Sequence, residues 1–435
     1  MEQNSNILKV LDKWNFWNGV VKGVGVERDD LNRISKFLDG PEVIALKGVR
    51  RAGKSTLMRQ LMNMLLKTGV DPRKLFYLNL DEPYFSGDRT VEFLERVFQT
   101  YREHVNPTGD TFVFIDEVQE MPGWERWVRS KNELKEAKIF VTGSSSSLMD
   151  SEYATLLTGR NITFSVYPLA FKEFIRFKGL ELPGGELELT SQKTVLRNLL
   201  NEYINFGGFP EVVLKSDTDT KELLLKQYFY DILYRDVAAR HKVRDTETLK
   251  NIAVYYMTNI SNLSSYTRIK NLLGVPMEVA RSYSSHLASA NLISEVPRHS
   301  FKVLEQARNP KKVYSIDTGL RNAVAFKFSE DFGRLAENIV FSELKKDGGE
   351  LFYFKDGQEV DFLVREGLKA VSIVQVSMLD SSQGKAMDRE LAVLDRCAEK
   401  SGCNDAILVT DDLEAELPTG KVRVRAIPLW KWLLR

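Results

Sequence analysis

Residues Gly48-Val49-Arg50-Arg51-Ala52-Gly53-Lys54-Ser55 carry more structural information than any other eight in the chain. They fit the pattern G-x-x-x-x-G-K-[ST] at every fixed position. The glycines let the backbone curl so that successive N–H groups point inward at phosphate oxygens. The segment from Gly48 through Arg50, Arg51, Ala52 and Gly53 to Thr56 is therefore predicted to wrap a nucleotide. Lys54 is placed to reach the β- and γ-phosphates, and Ser55 to hold Mg²⁺. Val43-Ile44-Ala45-Leu46 before it reads as a short buried strand. Thr56–Met62 after it opens a helix with apolar residues at helical spacing. Four fixed positions arise by accident in only about one to two per cent of chains this long, and the strand–loop–helix setting narrows that further.

Moving outward, Thr111-Phe112-Val113-Phe114-Ile115-Asp116-Glu117 is an apolar strand ending in two acids. An Asp at such a strand end holds Mg²⁺ through water. Asp116 is the expected metal residue. The adjacent Glu117 is the expected general base, placed to polarise the attacking water. A third strand, Lys138–Thr142, runs into Gly143-Ser144-Ser145-Ser146-Ser147. Ser144 or Thr142 at its tip could sense the terminal phosphate; a serine-rich cap for the next helix is the alternative. Arg160 follows in Leu157-Thr158-Gly159-Arg160, either as a surface arginine or as one that stabilises charge on the transferred phosphoryl group.

These motifs continue through Tyr167-Pro168-Leu169, Gly207-Gly208-Phe209-Pro210-Glu211, Tyr234-Arg235-Asp236-Val237, Lys312–Leu320, Gly333–Asn338 and Glu359-Val360-Asp361-Phe362. In that order they resemble a bacterial and archaeal family of AAA-type ATPases that carry a C-terminal domain of uncertain function. The resemblance covers nearly the whole chain. It implies ATP and Mg²⁺ as cofactors, a homo-oligomeric ring of hexamer type, and Arg160 reaching into a neighbour's nucleotide. The wider group includes archaeal and signal-transducing ATPases, so motor and switch roles both stay open.

Bulk properties set limits. The chain has 435 residues, 43% hydrophobic and 28% charged, with a net charge of +1. Any nucleic-acid surface must then be a local patch. Cys397 and Cys403 match no zinc spacing and give no disulfide framework. With no signal-peptide pattern and no apolar run of membrane length, the expectation is a cytoplasmic protein without membrane contact.

The expected fold class is α/β: a parallel P-loop sheet, then a helical lid, a winged helix and a restriction-endonuclease-like end. The segments are a leader (1–40), the ATPase core (41–176), the lid (177–243), a winged helix-turn-helix (244–318) and a last domain (319–435). Alternating strands and helices imply the parallel sheet. Glu211 follows the lid turn where many such ATPases place an arginine, leaving Arg235 as the substitute. Pro276–Leu287 is the helix that would enter a major groove. Arg268, Lys270, Arg281, Arg298, His299, Lys302, Arg308, Lys311 and Lys312 form the most basic stretch and could contact phosphates. In the last domain Glu337 and Asp361 stand where a nuclease of this fold holds metal, but Gln375-Val376-Ser377 replaces Glu-x-Lys. The site comprising Glu337, Asp361 and Gln375 therefore reads as degenerate. The leading expectation is an ATP-driven DNA-acting machine. A switch that binds a protein partner and an ATP-gated nuclease are the alternatives.

Overall fold

The computed structural model describes residues 2–87, 89–107, 109–144, 160–300, 302–326, 331–378 and 384–435. They form two compact units, Met1–Tyr167 and Pro168–Arg435.

The first unit is built on a five-stranded parallel sheet. Its strands are β1 (Val43–Gly48), β2 (Leu75–Asn79), β3 (Phe112–Asp116), β4 (Lys138–Ser144) and β5 (Asn161–Val166), in the order β2-β3-β4-β1-β5. The central strands are almost wholly buried apolar runs, as a sheet covered on both faces requires. The leader is part of this unit. Ile7, Val10 and Leu11 of the helix Glu2–Trp14 pack with Phe76, Phe98 and Tyr101. Trp14 and Trp17 pack against the same core, and their indole N–H groups donate to Glu82 and to the Leu75 carbonyl.

The second unit begins at Pro168. The reason is packing: Phe171, Phe174 and Ile175 of the helix Phe171–Phe177 join a cluster with Leu196, Tyr203 and Ile204. Helices Lys193–Phe206 and Thr218–Asp231 follow, and the latter runs directly into a π-helical segment, Ile232–Ala239. The next elements are a helix (Thr246–Thr258), β6 (Asn262–Ser264), two helices (Tyr266–Leu273 and Met277–Ser289), β7 (Ile293–Val296) and β8 (Lys311–Ser315). The strands make a small antiparallel sheet, β6-β8-β7. After the helix Asp331–Asp347 come β9 (Glu350–Asp356), β10 (Gln358–Glu366) and β11 (Lys369–Val376), a helix (Gly384–Ser401), then β12 (Ala406–Thr410), β13 (Ala415–Pro418) and β14 (Arg423–Pro428). This sheet is mixed, in the order β13-β14-β12-β11-β10-β9. One hydrophobic cluster draws on the helical region, Ile260, Val296, Tyr314 and the C-terminal sheet, so these parts share a core.

β8 and the turn after it fasten the unit together. The Tyr314 hydroxyl donates to Glu337 Oε1 at 2.7 Å. The Asn338 amide brackets Ser315, accepting from its N–H at 2.8 Å and donating to its carbonyl at 3.0 Å. Buried Asp317 accepts from the Gly208 N–H at 2.7 Å and the Leu320 N–H at 2.9 Å. Gly207, at φ +71, lies against that carboxylate: a Cβ there would stand 1.9 Å from Asp317 Oδ1. The Gly-Gly-Phe-Pro and Ser-Ile-Asp-Thr-Gly-Leu motifs are thus two halves of one joint.

Candidate active site

The carboxyl edge of the parallel sheet collects the sequence-derived residues of the first unit. Gly48 ends β1 directly beside Ser144 on β4 and Val166 on β5. A Cβ on Gly48 would lie 2.1 Å from the Val166 carbonyl oxygen, so the close approach of β5 demands glycine. The loop then turns through Arg51 at φ +68 and Gly53 at φ +99 into the helix Lys54–Lys67. No side chain caps that helix, which leaves its first N–H groups directed at an incoming anion. Lys54 is buried, and its Nζ donates to the carbonyls of Gly48 at 3.2 Å and Val49 at 3.3 Å. Ser55 and Thr56 are half-buried on the same turn.

Two residues not singled out from the sequence brace the loop. Buried Arg28 donates from Nη1 to the Ala52 carbonyl at 2.8 Å and from Nη2 to the Tyr167 carbonyl at 2.9 Å. Gln60 accepts from the Arg28 N–H and donates to the carbonyls of Val24 and Val26. Nothing in the local pattern around Arg28 marks it, since its partners lie 24 and 139 residues away.

Asp116 ends β3 and is 3% exposed. One carboxylate oxygen accepts from the Thr142 hydroxyl and the other from the Tyr77 hydroxyl, the latter at 2.7 Å. Burial, then the Asp116 charge, hold the Tyr77 phenol well above its ordinary value, so it stays a donor. Thr142 also accepts from the Glu117 N–H at 3.0 Å. It is fully buried and engaged with the acid pair. Ser144 is the other strand-tip residue, and its N–H donates to Gln119 Oε1 at 3.4 Å. Gln119 Nε2 donates to Glu117 Oε2. Glu117 itself adopts φ +58. A non-glycine residue in that region is unusual and is held by its surroundings. Residues 145–159, including most of the serine-rich loop and the Leu-Thr-Gly before Arg160, lie outside the described residues.

Arg160 is not at this edge. Register pairs Val43 with Asn161 and Gly48 with Val166, so Arg160 stands at the amino end of β5, across the sheet from the P-loop. It pairs with Glu133 on the surface. It therefore cannot serve the nucleotide of its own chain.

In the second unit the basic stretch divides between residues engaged internally and residues left exposed. Lys312 is buried. Lys311 Nζ lies 2.6 Å from Glu295. Arg298 donates to the Lys355 carbonyl, and the His299 N–H to the Tyr353 carbonyl. Arg268, Lys270, Arg281, Lys302 and Arg308 are exposed. Arg235 is exposed in the π-helical segment, 3.9 Å from Asp231, and Glu211 accepts from Tyr228. Glu337, Asp361 and Gln375 do converge, with Lys312 among them.

A family model described as an AAA domain matches residues 40–175, and one described as a domain of unknown function (DUF8612) matches 197–331. The uncharacterized protein MJ1544 of Methanocaldococcus jannaschii is 31% identical over 410 residues, 90% of this chain and 88% of that protein. An uncharacterized protein of Haemophilus influenzae is 30% identical over 343 residues, 77% of this chain and 82% of that one. Among solved structures, the Aeropyrum pernix ORC1 protein in complex with DNA is 13% identical, with 71% of this chain and 95% of that chain covered and a TM-score of 0.32. AMPPCP-bound DnaA from Aquifex aeolicus is 14% identical, with coverages of 60% and 86% and a TM-score of 0.27. No helix among the described residues is long and apolar enough to cross a membrane. This chain, whose residues 40–175 form an AAA domain of the P-loop ATPase type, belongs to the family of the Methanocaldococcus jannaschii protein MJ1544.

Proposed function

We propose that the chain is a Mg²⁺-dependent ATP hydrolase that acts on DNA as a ring oligomer. The observation that carries the reading is the convergence at one sheet edge of Gly48, Lys54 and Ser55 with Asp116, Glu117 and Ser144. That edge, beyond the carboxyl ends of parallel strands, is where open α/β sheets bind ligands.

The residues suit Mg²⁺. Ser55 and Asp116 offer hard oxygen donors, and two hydroxyls hold the Asp116 carboxylate. When bound, the ion neutralises charge developing between the β- and γ-phosphates. The chain's own parts do the rest. Loop N–H groups and the uncapped helix hold the phosphates, and Lys54 turns from the loop carbonyls to the β- and γ-oxygens. Glu117 orients a water for in-line attack, with Gln119 fixing one of its oxygens. Gln119 also meets the Ser144 N–H, so the base and the strand tip report to one another. Arg160, on the far end of the sheet, serves a neighbouring subunit.

The DNA reading is supported by the order helix, β6, helix, helix, β7, the short helix Val303–Arg308, β8, which resembles that of a winged helix. Within it the helix Met277–Ser289 and the one before it expose Arg281, Arg268 and Lys270. The test is the steady-state ATPase rate with and without single-stranded, duplex and four-way DNA at two salt concentrations. Stimulation that fades with salt is expected, because phosphate contacts release counterions. A rate indifferent to every DNA would replace this reading with a switch that answers to a protein partner.

A further inference from the structure

The cluster at the start of the C-terminal sheet contains a cation of its own. Lys312, from β8, points Nζ at Asp361 Oδ1 (2.7 Å), Glu337 Oε1 (2.8 Å) and Glu359 Oε1 (3.0 Å). Those three contacts match the three N–H donors of an ammonium. Lys312 is 3% exposed and Asp361 6%.

The second oxygen of Asp361 and the side-chain oxygen of Gln375 are turned elsewhere. Asp361 Oδ2 accepts from the Val376 N–H at 2.9 Å. The Gln375 carbonyl oxygen, which replaces the acid of Glu-x-Lys, accepts from the Asp361 N–H at 3.0 Å. Glu337 shares its Oε1 with Tyr314. Burial, followed by the Asp361 charge, pushes the Glu337 carboxyl up to about 8 and Glu390 nearby up to about 7. Among the described residues, no three His, Cys, Asp or Glu side chains are arranged to hold a metal ion. The divalent metal that a nuclease of this fold would use does not fit the groups present.

We propose that Lys312 is the resident cation of this cluster: its ammonium takes the place of a divalent metal, so the C-terminal sheet binds no catalytic metal and cuts no DNA. The exchange is physically reasonable. Buried acidic groups need a compensating charge, and a tethered ammonium supplies it without loss to solvent. A second cation within contact distance of the first would be repelled. Lys312 also explains why the cluster draws on two parts of the unit. Its strand continues into the Asp317 joint, so the same ion pairs that exclude metal tie β8 to β10 and to the helix Asp331–Asp347. This inference does not depend on what the ATPase acts upon.

The experiment is Mn²⁺ titration of the nucleotide-free protein, followed by electron paramagnetic resonance, in wild type, Lys312→Gln, Asp361→Asn and the double variant. Wild type should bind Mn²⁺ no better than Asp361→Asn. Lys312→Gln should bind roughly tenfold tighter or more, and lose the gain when Asp361→Asn is added. Supercoiled DNA with Mg²⁺ or Mn²⁺ should stay intact with wild type. The proposal is overturned by wild-type Mn²⁺ binding that Asp361→Asn removes. Cleavage that either single variant abolishes would also overturn it, as would a folded Lys312→Gln chain with no gain. If Lys312→Gln does not fold, the wild-type and Asp361→Asn comparison decides alone.

Discussion

At the scale of single residues, the nucleotide edge is organised around Asp116 and Glu117. Glu117→Gln should keep ATP binding while turnover falls by at least about a hundredfold, since the amide cannot accept a proton. Nucleotide binding and single-turnover hydrolysis measured side by side check this; undiminished turnover would remove Glu117 from the role of base. Tyr77→Phe tests the support of Asp116. It should raise the Mg²⁺ concentration for half-maximal turnover, with a stability cost of about 1 kcal/mol for the lost hydrogen bond. An unchanged Mg²⁺ dependence would limit Tyr77 to packing. Titration of the buried acids gives a third expectation. Glu337 and Glu390 are raised to about 8 and about 7. The folded chain therefore holds more protons than the unfolded one above their ordinary values, and stability is lost as pH rises through the raised ones. His286 and His299 are lowered from 6.5 by burial and act below that value, in the opposite sense. Between pH 6.5 and 8 the melting temperature should fall, and Glu337→Gln should flatten the fall. Asp116 and Glu117 are legible locally, as two acids closing an apolar run. Their supporters are not: Tyr77 looks like any strand aromatic, and its contact spans 39 residues.

At the scale of elements, strand ends matter more than strand interiors. β1 and β3 announce themselves as apolar runs, and the helix after the P-loop by its spacing, because each pattern repeats within one element. The helix Glu2–Trp14 is recognised by its packing against Phe76 and Phe98, far away in sequence. The same holds for β8. As sequence it is a basic strand; as structure it is a buried tie between three parts of one unit. Gly207 makes this testable. Gly207→Ala adds a methyl where the Asp317 carboxylate already lies, at a φ that disfavours side chains. It should cost about 1–3 kcal/mol by overpacking, with strain added. Denaturant unfolding checks it, and a neutral result would mean the joint between Gly208 and Asp317 has slack.

At the scale of the whole molecule, the placement of Arg160 separates two designs. It sits at the amino end of β5, so any effect of Arg160 on hydrolysis would require another subunit. Arg160→Ala should lower turnover roughly a thousandfold in the assembled protein, and mixing it with Glu117→Gln should restore turnover through hybrid interfaces. Equal rates for variant and wild type across a dilution series followed by light scattering would show that no ring acts.

Short-range chemistry was readable from the residues in order. The P-loop, the paired acids and the strand–helix alternation depend on spacing within a few residues, and spacing is what a sequence records directly. Folding alone assigned the charges to partners. Lys312 counts as a basic surface residue until β8 carries it against Asp361, 49 positions later, and against Glu337. Thr142 is one polar residue in an apolar strand until β4 sets it on Asp116. An ion pair or a hydroxyl contact has no sequence period; it exists only where two distant segments are packed to within about 3 Å.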